Sequence, residues 1–410
     1  MSRKTDKNLI VGLDIGTSKI ATVVGELTPE NTVEIVGVGS CPAKGLRKGV
    51  VVDIESTVLA IKHAVEEAEL MAGCKINSVY TGITGSHIKS LNSHGIVAIR
   101  DSEVTDADIE RVIDAAKAVA IPADQRILHI IPQEFVIDKQ EGIREPVGMS
   151  GVRLESRIHM VTGAVSTAQN IVKCIRRCSL DVDDIILAQI ASSYSCLTND
   201  ERELGVCMID LGAGTTDIAI YAGGSIRHTH VIPIAGDQVT NDIAVALRTS
   251  THNAEDIKIK YGSAMVKEEN QHEVIEVSRI GERSVTKLSK MVLSEVIEPR
   301  FEELFNMIKE ELRRNGLEEH LGSGIVLTGG SAKMDGVSEL AESIFQMPVR
   351  IGLPHGVSTE NELLNSSEFS TATGLLLYGK ERVAESIMDS SRGGIREVVG
   401  QVKRWLQANF

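Results

Sequence analysis

A strand–turn–strand unit built on an acidic residue and glycine occurs twice in this chain, and the recurrence restricts its folds more than any other feature. Residues 9–27 read LIVGLDIGTSKIATVVGEL and residues 205–224 read GVCMIDLGAGTTDIAIYAGG; each carries β-branched residues into an Asp-x-Gly turn and out again. Asp14 and Asp210 hold matching places about 196 positions apart, which predicts a duplication into two related lobes. Two lobes imply a cleft.

The remaining chain can fill such lobes. With 410 residues, 42% hydrophobic and 24% charged, it can bury sizeable cores without a disulfide framework. The net charge of -14 excludes a surface-wide nucleic-acid footprint, so no nucleic-acid partner is expected. Six cysteines (Cys41, Cys74, Cys174, Cys178, Cys196 and Cys207) have no second ligand pair at zinc spacing and are expected to be buried, reduced thiols. The apolar run Leu9 to Leu13 stops at Asp14, too early for a secretory leader. No stretch approaches the ~18 apolar residues of a membrane span, and a cytoplasmic protein is expected.

Between the two turns the texture changes. Ser56 to Met71 spaces Val58, Ile61, Val65, Ala68 and Leu70 at a near-helical period, with Gly73 as a stop. Within residues 84–162, a capping box at Thr105–Asp108 opens a helix with Ile109, Val112, Ile113, Ala116 and Ala120 on one face. Strand-like RILHIIPQEFVID and SRIHMVTGAV follow, so a small α+β insertion is expected there. Residues 241–325 read as largely helical and charged, with Phe301, Leu304, Phe305, Ile308 and Leu312 as a core-facing stripe. Residues 386–394, SIMDSSRGG, have the composition of a linker.

The turns also carry chemistry. In Asp14-Ile15-Gly16-Thr17-Ser18-Lys19 and in Asp210 to Asp217, glycines let the backbone approach an anion, N–H and hydroxyl groups can donate to phosphate, and the acidic residue can hold hydrated Mg²⁺. Facing each other, two such turns would clasp a triphosphate. Leu327-Thr328-Gly329-Gly330-Ser331 ends a strand in glycines able to lie against a base or ribose, and Glu255 and Lys258 share a helix face from which to bond a nucleoside. Neither a Walker lysine loop nor GxGxxG occurs, so the P-loop and Rossmann readings fail. At the C-terminus, Ile395, Val398, Val399, Val402, Trp405, Leu406 and Phe410 form one apolar stripe, and Arg396, Lys403 and Arg404 against Glu397 leave it at +2. A helix lying in an anionic membrane surface is expected.

The order of DIGTSK, the segment near 189, DLGAGTTD, IAGD and LTGGSA resembles the phosphate-1, connect-1, phosphate-2 and adenosine motifs of the actin, heat-shock chaperone and sugar-kinase superfamily. HIIPQEFVID, GMSGVRLE, QIASSYS, NDERELGVC and VIEPR narrow this to a resemblance to the FtsA family of bacterial cell-division proteins, over residues 8–383 and again at the extreme C-terminus. The resemblance implies an α/β, actin-like two-lobed fold of duplicated ribonuclease-H-like domains. Lobe 1A would comprise 1–83 and 163–195, an inserted α+β subdomain 1C 84–162, lobe 2A 196–240 and 326–385, and subdomain 2B 241–325. A linker at 386–394 would lead to an amphipathic membrane-targeting helix at 395–410.

It also implies ATP and Mg in the cleft. Asp14 and Asp210 would order the Mg²⁺ water shell, with Gly16, Thr17, Ser18, Lys19, Gly212, Gly214, Thr215 and Thr216 around the phosphates. Gly236, Glu255, Lys258, Gly329, Gly330 and Ser331 would line the nucleoside. Slow hydrolysis would rest on Gln189 as the water-positioning residue, or on Ala188 if the register slips by one, with Asp210 acting through Mg-bound water. Further implications are self-association into protofilaments, binding of the FtsZ C-terminal peptide by 2B through Arg300 and Lys287, and contact of 1C with later division proteins such as FtsN. The expected location is the cytoplasmic face of the inner membrane at the septum. A sugar-kinase-type phosphotransferase of the same superfamily is the alternative, though the cationic tail has no use there. A rod-shape or pilus-assembly actin homologue is a third reading, which leaves the 84–162 insertion hard to place.

Overall fold

The first acidic turn sits at the head of a sheet. In the computed structural model, which describes residues 9–267, 272–281, 285–359 and 361–391, strands Leu9–Ile15 and Lys19–Leu27 pair antiparallel and Val33–Pro42 extends the sheet. Ser78–Ile83 and Asp181–Leu187 add in parallel beside the first strand. Parallel neighbours require a crossover, supplied first by helix Ile54–Ala72. That helix begins where the Asp53 carboxylate accepts the N–H groups of Glu55 and Ser56, and ends at left-handed Gly73. Val58, Ile61, Val65 and Ala68 are buried as expected, but Leu70 is 86% exposed. Two residues past Ala68 is roughly 200° around a helix, off the buried stripe.

The second turn heads a sheet of the same plan. Val206–Leu211 and Thr216–Ala222 form the hairpin, Ser225–Ile232 follows antiparallel, and Ile325–Thr328 and Val349–Ile351 add in parallel. Two sheets with one strand order, from separate parts of the chain, bear out the duplication. The chain then returns to the N-terminal sheet. Residues 357–385 were expected with the second lobe, yet Val357–Ser358 pairs with Val33 and Glu34, and the helix Ser370–Ser391 packs Ala372 and Leu376 against Ile10, Ala21 and Val23. An apolar face of that size needs a partner, and the first sheet has the open one. The same helix also runs through 386–391, where a linker was expected, because no Gly or Pro stops it before Gly393.

The insertion forms its own four-stranded sheet from Lys89–Ala98, Arg153–Ala164, Gln125–Ile137 and Gln140–Ile143. Helix Asp106–Lys117 covers it, opened by the expected Thr105–Asp108 capping box, and Val112, Ile113, Phe135 and Leu154 fill the core. Ala120 lies beyond the helix end and is exposed. The 241–325 region is less uniformly helical than expected, since Val274–Ser278 and Val285–Ser289 pair as a ribbon. Its long helix Lys290–Arg314 does bury Phe301, Leu304, Phe305, Ile308 and Leu312. All six cysteines are free, but only Cys174, Cys196 and Cys207 are fully buried. Among the described residues no helix is long and apolar enough to cross a membrane. The expected amphipathic helix, 395–410, lies outside the described residues.

Candidate functional site

Both acidic turns close with the same bond: Gly16 N–H donates to the Lys19 carbonyl at 3.0 Å, and Gly212 N–H to the Thr215 carbonyl at 3.0 Å. The turns also meet. A Cβ on Gly214 would fall 2.5 Å from Thr17 Oγ1, so the two lobes touch where each chain reverses. Thr17 Oγ1 itself accepts the Gly49 N–H at 3.0 Å. The exposed Ser18 holds Ala43 through its carbonyl.

Three carboxylates gather behind the turns. Asp210 accepts from Ser192 Oγ at 2.5 Å and Thr371 Oγ1 at 3.2 Å, which ties it to two helices. Asp217 stands directly opposite Asp210 in the hairpin and accepts from Thr84 Oγ1 and, at 2.8 Å, Thr215 Oγ1. Burial, with the charge of Asp210 added, pushes Asp14 up to about 7. The same two causes push Asp217 up to about 7, while burial raises Asp210 against the pull of its two hydroxyl donors. Like charges in so dry a place call for a cation, and an all-oxygen donor set suits a hard one such as Mg²⁺. Asp217 had no role assigned from sequence although it closes the second motif; the signal was an acid opposite an acid across a two-stranded turn. The hydroxyls of Thr215 and Thr216, expected to face phosphate, are bonded instead to Asp217 and to the Ile234 carbonyl.

Beyond the second turn a glycine-lined corner forms. Ser331 Oγ donates to the Gly212 carbonyl at 2.8 Å, and a Cβ on Gly236 would come 2.6 Å from that Oγ. Lys258 Nζ donates to Glu255 at 2.7 Å, Thr240 Oγ1 at 2.8 Å and the Gly236 carbonyl at 3.2 Å. Gly329, at φ 88°, abuts Asp210, and a Cβ on Gly330, which follows, would meet only the Glu368 Cβ, at 4.0 Å. Gly236, Glu255, Lys258, Gly329, Gly330 and Ser331 are thereby gathered beside the acidic turns.

The other expected residues are placed differently. Lys19 Nζ lies 3.3 Å from Glu368 and 3.4 Å above the Phe369 ring, with burial lowering its pKa. Gln189 is buried in the first turn of helix Ala188–Cys196, on the same side as Ser192, and neither amide atom has a hydrogen-bond partner among the described residues. Arg300 is clamped by Asp242, at 2.6 and 3.1 Å, and by Glu303. Lys287 sits on the ribbon opposite Glu276 and is 72% exposed.

Comparison with known proteins fits this geometry. The family description "Cell division protein FtsA" matches residues 207–374, and "SHS2 domain inserted in FTSA" matches residues 85–162. A cell division protein FtsA of Pseudomonas aeruginosa is 57% identical over 409 residues, covering 98% of each chain. The chain belongs to the FtsA family of cell-division proteins. Among solved structures, the PilM-PilN type IV pilus biogenesis complex aligns with TM-score 0.67 at 17% identity, covering 90% of this chain and 98% of the other. MreB5 of Spiroplasma citri bound to ADP aligns with TM-score 0.57 at 15% identity, covering 95% and 100%. These likenesses establish the actin-like fold. FtsA membership leaves the sugar-kinase alternative without support.

Proposed function

We propose that this chain is an ATP-binding, actin-like division protein that polymerises on the cytoplasmic face of the inner membrane at the septum. There it tethers FtsZ filaments and recruits later division proteins such as FtsN. The observation that carries the reading is the convergence of two Gly turns on Asp14, Asp210 and Asp217. The ADP-bound MreB5 relative in fold supports a nucleotide in the corresponding cleft.

Asp14 and Asp210 would hold the water shell of Mg²⁺, and the bare turns at Gly16, Gly212 and Gly214 leave room for phosphate oxygens against backbone N–H groups. When bound, Mg²⁺ supplies charge neutralisation between phosphate and carboxylate. The Glu255–Lys258 pair, fixed by Thr240, presents polar atoms to the nucleoside, and Gly236, Gly329 and Ser331 shape its corner. The Gln189 amide, which has no hydrogen-bond partner among the described residues, is suited to orient a water, so hydrolysis would be slow and set by that one contact.

Partner binding follows from charge. Arg300 offers a cation whose Glu303 partner is half-exposed, so an acidic FtsZ C-terminal peptide would displace Glu303 while Asp242 keeps the guanidinium aimed; Lys287 adds an exposed second cation. The tail 395–410 would bind anionic lipid weakly, at roughly 1 kcal/mol per basic residue. Many tails on one filament would gain about 10² to 10⁴ in effective affinity. Polymerisation and membrane residence are therefore coupled.

Sedimentation with anionic vesicles tests this. Deleting residues 395–410 should abolish pelleting and leave Mg·ATP affinity within about twofold, because the tail supplies none of the residues gathered at the turns. A polymerisation-deficient variant that pelleted like wild type at low concentration would contradict the coupling. Phosphate transfer to a panel of sugars would revive the kinase reading.

A further inference from the structure

We propose that His228, His230 and Glu311 form a binding site for a late transition-metal dication of the Zn²⁺ class, separate from the acidic turns. His228 and His230 are two apart on strand Ser225–Ile232, so both leave the same face. Glu311, near the end of helix Lys290–Arg314, lies against that face. His228 Nε2 is 3.0 Å from Glu311 Oε1, His230 Nδ1 is 3.7 Å from the same oxygen, and the three ligand atoms all fall within 4.8 Å of one another. A tetrahedral ion with bonds of about 2.0–2.2 Å has ligand–ligand edges of roughly 3.3–3.6 Å. The two measured edges bracket that length.

A simple His–Glu hydrogen bond would need one imidazole; here a second is aimed at the same oxygen, with the rings stacked 6.1 Å apart and 11° from parallel. Asn315 Nδ2 donates to Glu311 Oε1 at 3.0 Å and so holds the carboxylate in place, as outer partners of metal ligands do. His230 is 41% exposed against 16% for His228 and 13% for Glu311, which leaves a solvent route and an open fourth position. Arg314, 3.5 Å from Glu311, and Lys89, facing His230, oppose any cation. They disfavour hard ions held by charge alone, and two imidazoles select instead for Zn²⁺, Ni²⁺ or Cu²⁺ over Mg²⁺. The strand also anchors the inserted sheet, through Ser90 Oγ to the Thr229 carbonyl at 2.7 Å and His159 Nε2 with Thr229 Oγ1 at 2.9 Å. A bound ion would pin that strand to the long helix and stiffen the junction.

Titrating the full-length protein with Zn²⁺ in excess Mg²⁺, and recording the visible bands of Co²⁺, tests the site. His230→Ala is the main variant, because it leaves the His228–Glu311 hydrogen bond intact; Glu311→Gln is the second. Expected are one Zn²⁺ per chain, Co²⁺ bands of mixed nitrogen and oxygen ligation, and a loss of about tenfold or more in Zn²⁺ affinity in each variant. Wild-type-like Zn²⁺ binding in both variants would place the metal elsewhere on the protein, and absence of micromolar binding in the wild type would remove the site; either result overturns the proposal.

Discussion

Across the first hairpin Asp14 stands opposite Ala21, whereas across the second Asp210 stands opposite Asp217, although both turns close with the same 3.0 Å bond. The first turn ends in Lys19, which is turned to Glu368 and Phe369; the second ends in threonines folded onto Asp217 and Ile234. Duplication preserved the backbone and let the charges diverge. One half of the cleft thus carries a single carboxylate near a cation that is paired with Glu368, and the other carries two carboxylates that have no ion-pair partner among the described residues. The second turn should therefore dominate divalent-ion and nucleotide binding.

Replacing Asp210 gives the largest effect. Asp210→Asn should weaken Mg·ATP binding about 100-fold in calorimetry, in line with the ~2–5 kcal/mol attached to truncating one member of a buried charge pair. Asp14→Asn should lose less. Equal losses would erase the difference between the turns.

A middling effect is expected from pH. Asp14 and Asp217 rise from 3.8 to about 7 on folding, so the folded chain binds more protons than the unfolded one between those values. Metal-free stability should then fall as pH rises through that window, by up to about 1.4 kcal/mol per pH unit for each group, and level off above it. Urea midpoints measured in chelator check this. Mg²⁺, or Asp217→Asn, should flatten the slope; a flat metal-free profile would mean the carboxylates do not crowd.

Lys19→Ala should matter least. A partly exposed pair with Glu368 is worth about 1 kcal/mol at most, so displacement of a fluorescent nucleotide should shift by less than about fivefold. A larger loss would mean that Lys19 leaves Glu368 for phosphate, making the first turn the stronger anion holder.

The plan shared by the two turns was legible in the sequence. Asp-x-Gly after a β-branched run specifies a hairpin with its acid at the mouth, and the repeat of that pattern specified two sheets of one plan. What escaped was set by distance along the chain. Thr84, Ser192 and Thr371 reach Asp217 or Asp210 from remote segments with no local signature of the contact. Likewise, the packing of Ala372 and Leu376 on the first sheet depends on an apolar face whose partner is over 340 residues away in sequence. The ribbon at 274–289 was hidden because alternation over five residues is short and lies inside a charged, mostly helical region. Leu70 failed for a geometric reason: composition favoured it, but its angle on the helix did not.

A crystal structure of the full-length protein with Mg²⁺ and a non-hydrolysable ATP analogue is the most direct test of the cleft. The expected result has the phosphates between the turns at Gly16 and at Gly212 to Gly214, with the ion's waters on Asp14 and Asp210 and the nucleoside in the corner of Gly236, Lys258 and Ser331. An analogue bound elsewhere, or a cleft with the ion held away from both aspartates, would contradict it.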